Sequence, residues 1–422
     1  MTGRTAETDV PGTDSAPLGR RWPSDDTSRI PNWVYTDEDV FRLEQQRIFG
    51  GPFWNYVALA AEVPEPGDFV RSWVGDHPVV VVRTRRGTIN VVSNRCAHRG
   101  LAFCMQQHGK AKTFVCPYHQ WSFDLDGNLT GLPFKRGVRG NGGMPADFDF
   151  AAHGLNTLAV AERGGVVFAS LAADPPTLQD SFGAPMLRYF DRVFDGRELR
   201  VLGYQRQRIP ANWKLVFENI KDPYHASLLH VFLVSLGLFR ADQPSKVVMD
   251  ATGQHAALLS RRGGQSANDV TAEIRQFDDR LELHDKNMLR PAKEFPDDHT
   301  VVMHTLWPNL MVQAQTNTLA MRAMAPRSAG VTDLHWTYFG YADDDEEMTL
   351  RRLRQANLQG PAGMIGIDDW EVLAYNQTGL LSDPGGAGVV EMGGLGVTDE
   401  DHMVTEAAIR AMYVYYREVM GW

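Results

Sequence analysis

The chain reads as α+β: a small antiparallel β domain, then a domain that combines a second antiparallel sheet with helices. Three observations predict this. Residues 50 to about 170 alternate apolar and polar between turn signals. Five β-patterned stretches then follow one another from VVMDATGQHAALLSRR to LHWTYFGYA. Segments of helical period precede and follow those stretches.

The elements come in order. The first 30 residues are polar, carry no apolar signal core and read as a mobile arm. TDEDVFRLEQQRIF (36–49) predicts a helix, with Thr36 as cap and Asp39 at capping-box spacing. The helix in 31–50 is expected to pack on the second domain. DFVRSWVG, HPVVVVRTR and TINVVSN predict strands, with RRG at a turn. Asp126-Gly127-Asn128 in WSFDLDGNLTGLP marks a hairpin, and LAVAERGGVVFASL another. These place the first domain at 51–172 and the second at 173–422.

In the second domain, PPTLQDSFGAPMLRYFDRVF predicts a helix and LRVLGYQRQRIP a strand. NWKLVFENIKDPYHASLLHVFLVSLGLF predicts one long helix. DDDEEMTLRRLRQANLQG predicts a helix whose acidic first turn suits the helix dipole. PGGAGVVEMGGLG (384–396) predicts a loop, and TEAAIRAMYVYYREVM a closing amphipathic helix.

Composition excludes several classes. A net charge of −10 disfavours nucleic acid and anionic membrane surfaces as partners. No run approaches the roughly 18 apolar residues of a membrane helix. Three cysteines make no disulfide framework, which points to a reducing compartment and, by default, the cytoplasm.

All three cysteines lie in CAHRGLAFCMQQHGKAKTFVCPYH (96–119). Cys96-x-His98 and Cys116-x2-His119 each offer one thiolate and one imidazole from a tight loop. Two such loops suit a Rieske-type [2Fe–2S] cluster, with two Cys on one iron and two His on the other. Zinc competes, but its sites usually pair Cys with Cys and His with His, and here the order alternates. Cys104 reads as a small buried hydrophobe and His108 as a loop histidine.

Within the long helix, ENIKDPYHASLLHVF spaces Asp222, His225 and His230 as D-x2-H-x4-H. Glu218, Asp222 and His225 share a helical face. His230 falls about 140° away from His225 at 100° per residue. One metal can be shared only if the helix is distorted, through Pro223 or a π-bulge. Two histidines leave a non-haem iron site one carboxylate short, and spacing does not identify it.

NRCAHRG, CPYHQWSFDLDGNLTG, NWKLVFENIKDPYHASLLH and GPAGMIGIDDWE together resemble the large (alpha) subunit of Rieske non-haem iron ring-hydroxylating oxygenases, over nearly the whole chain after residue 25. The resemblance implies an antiparallel β Rieske [2Fe–2S] domain and a helix-grip catalytic domain holding one mononuclear Fe(II). It implies Asp369 as the third iron ligand, with Asp368 as fallback; Trp370 follows where many relatives have glycine. It implies trimers in which Asp222 bridges His225 to the cluster ligand His119 of the partner subunit, and an α3β3 assembly with a small beta subunit. It further implies electrons from NAD(P)H through a separate reductase and ferredoxin. The chain itself carries no dinucleotide fingerprint.

WTYFGYADDDEEMT and VVEMGG are similar to the anthranilate, salicylate and terephthalate oxygenases within that family. A carboxylate entering an apolar pocket needs a fixed cation. Arg322 looks like the subgroup's carboxylate-binding arginine. A second arginine of the terephthalate enzymes matches Met403 here, which favours a monocarboxylate such as anthranilate or salicylate over terephthalate; halobenzoates stay open. Ile365, four before Asp369, is a pocket wall or core. His153, His255, His284 and His304 receive no role. The rival from another class, a Rieske electron carrier without oxygenase activity, would not need the D-x2-H-x4-H segment.

Overall fold

The computed structural model describes residues 17–262, 269–275 and 277–422. Residues 1–16 of the expected arm lie outside them. From Trp22 onward that stretch is packed: the Trp22 ring meets Trp33 and Tyr413, and Arg29–Pro31 pairs antiparallel with Ala387–Val389. The glycine-rich stretch read as loop therefore contains a short strand. The helix expected over 36–49 is capped by Asp37, not Thr36, which ends a preceding single turn, Trp33–Thr36. Asp37 is extended and accepts from the N–H groups of Asp39 and Val40, while the Thr36 hydroxyl donates back to the Asn32 carbonyl. The helix runs Glu38–Glu44 and widens into a π-turn over Gln45–Phe49.

The β-patterned stretches of the first half form strands as expected, joined by Asn55–Leu59 and His108–Lys110, which the pattern does not predict; the latter puts His108 on a strand and not in the expected loop. Ile89–Ser93, His77–Arg83, Asp68–Val74 and His108–Lys110 make a four-stranded sheet in that order. Ala159–Arg163, Val166–Ser170 and Asn55–Leu59 make a three-stranded one. Gly164 and Gly165 turn the first hairpin of the latter at φ 57° and 79°, a conformation side chains resist. Valines dominate the core between these sheets: Val57, Val70, Val79, Val81, Val91 and Val167 are all buried. β-branched side chains suit such a pleated surface.

The second half is one seven-stranded antiparallel sheet: Leu199–Ile209, Val331–Tyr341, Thr318–Ser328, Leu310–Gln315, Val301–Leu306, Ala256–Ser260 and Ser245–Met249, in that order. Alternation along the strands separates its faces. Val312, Leu319, Met321 and Phe339 pack with Phe182 and Phe190 of helix Leu178–Val193. Met311, Ala320, Met324 and Trp336 face helices Trp213–Lys221, Met364–Ser382 and Ala407–Met420. No helix among the described residues is long and apolar enough to cross a membrane.

The expected long helix is three short ones: Trp213–Lys221, His225–Leu229 and Val231–Ser235. Pro223 ends the first. Neither a proline nor a π-bulge lies between the two histidines; His230 itself leaves the helical region at φ −91°, ψ 83°.

Candidate metal centres and substrate cavity

Two loops of matching closure present the Cys and His pairs. The Cys96 N–H donates to the Leu101 carbonyl at 2.8 Å and the Gly100 N–H to that of Cys96 at 2.9 Å. The Cys116 N–H donates to Trp121 and the Gln120 N–H to Cys116, both at 2.9 Å. The fourth residue after each cysteine is left-handed, Gly100 at φ 74° and Gln120 at φ 56°. A side chain at such a φ costs about 1–2 kcal/mol, so the closure of the second loop is held against strain.

Both cysteines are 2% exposed, packed with Phe103, Trp121 and Phe123. Burial pushes the Cys96 thiol up, and the neighbouring Cys116 adds to the rise. His98 and His119 lie outward, their ring centroids 4.5 Å apart. Trp121 stacks on His98 at 4.7 Å and Tyr118 lies 3.8 Å from His119. A thiol pair inside and an imidazole pair outside fit a [2Fe–2S] group with mixed ligands. Cys104 is buried behind this site, its backbone paired to Asn94, and His108 is exposed on a strand.

The second centre assembles from the first residue of helix His225–Leu229, the break at His230 and helix Met364–Ser382. Asp369 Oδ1 lies 3.4 Å from His225 Nε2 and 3.2 Å from His230 Nε2. One donor atom from each of the three falls within 4.8 Å of the others. Burial opposes charge on both groups. Yet Asp222 and Asp369 push His225 up to about 10, and hydrogen bonds from the two histidines hold Asp369 well below the usual carboxylate range. A buried anion facing two imidazole nitrogens is the donor set of a divalent non-haem iron.

Helix Met364–Ser382 delivers Asp369 because Gly366 lets its first turn approach the preceding bend; a Cβ there would meet the Gly360 carbonyl oxygen at 2.4 Å. The acidic pair is thus helical. Asp368 reaches the other side of His230, with Oδ2 3.2 Å from Nδ1. On His225 the Asp222 backbone carbonyl meets Nδ1 at 2.5 Å, while the Asp222 carboxylate stands beyond hydrogen-bond range, Oδ2 3.6 Å from the same nitrogen.

A cavity opens beside these groups, walled by Leu233, Leu258, Met303, Trp336, Ile365 and Trp370. Arg322 enters it from the sheet while its neighbour Met321 faces the opposite core. Arg322 is 4% exposed, with its guanidinium carbon 4.3 Å from the Trp336 ring centre and 5.6 Å from that of Trp370. Its Nε and Nη2 have no hydrogen-bond partner among the described residues. Burial pulls its pKa down to about 10, opposed by Asp369, so it stays cationic at neutral pH.

Met403 is fully buried in an apolar cluster with Phe232, Leu233 and Met303. His304 is buried and does not line the cavity. Sequence reasoning missed Asn219, whose amide donates to Asp369 Oδ1 at 3.1 Å and stands 3.3 Å from His225 Nε2. Its place one turn before Asp222 was the available signal. It also missed the two tryptophans around Arg322 and the amides Gln313, Gln315 and Gln359 in the cavity wall.

Residues 53–141 match the Rieske [2Fe–2S] domain, and 196–422 the catalytic domain of the ring hydroxylating alpha subunit. The chain is 48% identical over 411 residues to the large oxygenase component of salicylate 5-hydroxylase from Ralstonia sp, covering 96% of this chain and 97% of that protein. It is 42% identical over 404 residues to the anthranilate 1,2-dioxygenase large subunit of Burkholderia cepacia, covering 95% of each. The fold is similar to naphthalene 1,2-dioxygenase from Rhodococcus sp. bound to indole, with a TM-score of 0.76 at 24% identity over 93% of this chain and 94% of that one.

Proposed function

The chain belongs to the aromatic ring-hydroxylating oxygenase alpha subunits, whose cofactors are a Rieske [2Fe–2S] cluster and a mononuclear iron, and from that premise we propose that it hydroxylates an ortho-substituted benzoate. Arg322 carries this reading. A desolvated guanidinium without a hydrogen-bonding anion is costly unless the ligand supplies one. A substrate carboxylate in the Arg322 corner places its ring between Trp336, Trp370 and Ile365, beside His225, His230 and Asp369. Salicylate and anthranilate, named in the two relatives, both have this form. Terephthalate and halobenzoates are the alternative substrates, and Met403, buried in its apolar cluster, supplies no second cation for a dicarboxylate.

When bound, the cluster supplies single electrons and the mononuclear iron activates dioxygen. Cys96, His98, Cys116 and His119 hold the first; His225, His230 and Asp369 hold the second. Asp222 keeps the His225 ring oriented through its backbone carbonyl at Nδ1 and offers its adjacent carboxylate to His119 of the partner subunit, giving a short polar route between centres in a trimer. A small beta subunit, a ferredoxin and an NAD(P)H reductase complete the system. The tryptophans and apolar wall exclude water from the reacting ring.

The test is a product screen with a surrogate electron supply on salicylate, anthranilate, terephthalate, halobenzoates and naphthalene, alongside iron quantitation. A dihydroxybenzoate from salicylate, or catechol from anthranilate, supports the reading. Turnover of the neutral hydrocarbon alone overturns it. Iron of about three per chain supports two separate centres.

A further inference from the structure

One wall of the cavity carries an amide whose orientation is dictated from outside it. The Asn317 backbone N–H can only donate, so the Gln355 atom it meets at 2.8 Å is Oε1. The Thr316 hydroxyl has two neighbours that can only accept, that Gln355 oxygen at 2.7 Å and the Gln315 carbonyl at 2.6 Å. Its hydrogen goes to one of them, and a lone pair is left for Gln359. Gln359 must therefore turn Nε2 to Thr316, at 3.2 Å, and its Oε1 to Gln313. The Gln313 amide nitrogen then donates to Gln359 Oε1 at 3.3 Å and to Gln315 Oε1 at 3.0 Å. Both of its hydrogens are used. Gln313 Oε1 remains, with no partner among the described residues, on a side chain 2% exposed.

Gln313 and Arg322 share a sheet face. Met311 stands opposite Arg322, and Gln313 is two residues along the same strand, a diagonal pair within reach for long side chains. Both line the cavity. The wall thus offers a fixed cation with free donors and, beside it, a fixed acceptor.

We infer that Gln313 Oε1 is the specificity-determining acceptor for an O–H or N–H ortho to the substrate carboxylate held by Arg322. This rests on the proposed aromatic-acid activity and narrows it. A benzoate without an ortho donor leaves the Gln313 carbonyl buried and unpaired, and an ortho ether sets a lone pair against it. Either mismatch is penalised because the group cannot return to water.

The experiment measures equilibrium binding, through quenching of tryptophan fluorescence, of salicylate, anthranilate, benzoate and 2-methoxybenzoate to the cluster-loaded protein and to Gln313→Met and Gln359→Met. The wild type is expected to bind the two ortho donors at least about tenfold tighter than benzoate, a typical hydrogen-bond difference. Gln313→Met brings all four to within about threefold of one another while benzoate affinity holds. Gln359→Met frees the Gln313 amide to turn and lowers the preference in part. Equal wild-type affinity for salicylate and benzoate overturns the inference. So does an equal loss for both ligands in Gln313→Met. Should Gln313→Met lose the cluster's visible spectrum, the wild-type ranking and Gln359→Met decide. Binding of carboxylates regardless of the ortho group overturns this inference alone; binding of neutral arenes only overturns the proposed function with it.

Discussion

The Asp222 carboxylate stands 3.6 Å from Nδ1 of His225, on the ring edge opposite the nitrogen that faces Asp369. One imidazole therefore lies between two anions, one at the candidate iron site and one toward a second cavity lined by Glu218 and Glu406. Orientation from behind is a recurring need of metal-binding histidines. Asp222→Asn preserves shape and removes the charge. It is expected to retain both iron centres while turnover falls by about 10–100-fold or more. Iron content and product formation, measured on the same preparation, check this.

The consecutive acids differ in burial and in contacts. Asp369 is buried and meets both Nε2 atoms, whereas Asp368 is partly exposed and meets only His230 Nδ1. Asp369→Asn is expected to abolish retention of the mononuclear iron. Asp368→Asn should weaken it by about 10–100-fold, the usual effect of losing an orienting partner. Metal titration of each variant with the cluster intact distinguishes the two; the reverse order would exchange the assignments.

Arg322→Leu leaves the cavity apolar and neutral. Affinity for carboxylated rings is expected to fall by about 2–5 kcal/mol, as for truncating one side of a buried charge pair. Uncharged analogues such as benzamide should lose far less. Competition binding of the two ligand classes measures the contrast.

Glu218 is half-buried behind the site, accepts from the Tyr413 hydroxyl and lies near Asp222. Burial, with Asp222 adding to it, raises its pKa from 4.5 to about 7. The folded protein thus keeps this proton to higher pH than the unfolded chain. Its contribution to stability falls as pH rises from 4.5 to about 7 and is level beyond, by up to about 3 kcal/mol. Glu218→Gln should flatten that dependence and gain on the wild type at pH 8 relative to pH 5. Melting temperatures across the range test the sign.

Lys214 and Glu44 form a fully buried pair at 2.6 Å, with Trp213 and Tyr416 donating to the same carboxylate. Lys214→Met alone strands the Glu44 charge and is expected to cost about 3–5 kcal/mol. The double variant with Glu44→Leu should recover much of the loss, which denaturant unfolding reads directly.

The sequence by itself determined the chemistry carried by nearby residues. Cys96-x-His98 and Cys116-x2-His119 are local loops, so spacing alone exposes their donor set. The sheet strands and their two faces were legible for the same reason, since alternation is a property of successive residues. The break between His225 and His230 was expected from geometry, but its place was not; packing puts it at His230. Asp369 lies far along the chain and needed the family resemblance, and only the fold shows which of two adjacent acids meets both imidazoles. The free acceptor on Gln313 was invisible to sequence altogether. Its orientation comes from a relay through Asn317, Gln355, Thr316 and Gln359, and hydrogen-bond direction passes between elements that only tertiary packing brings together.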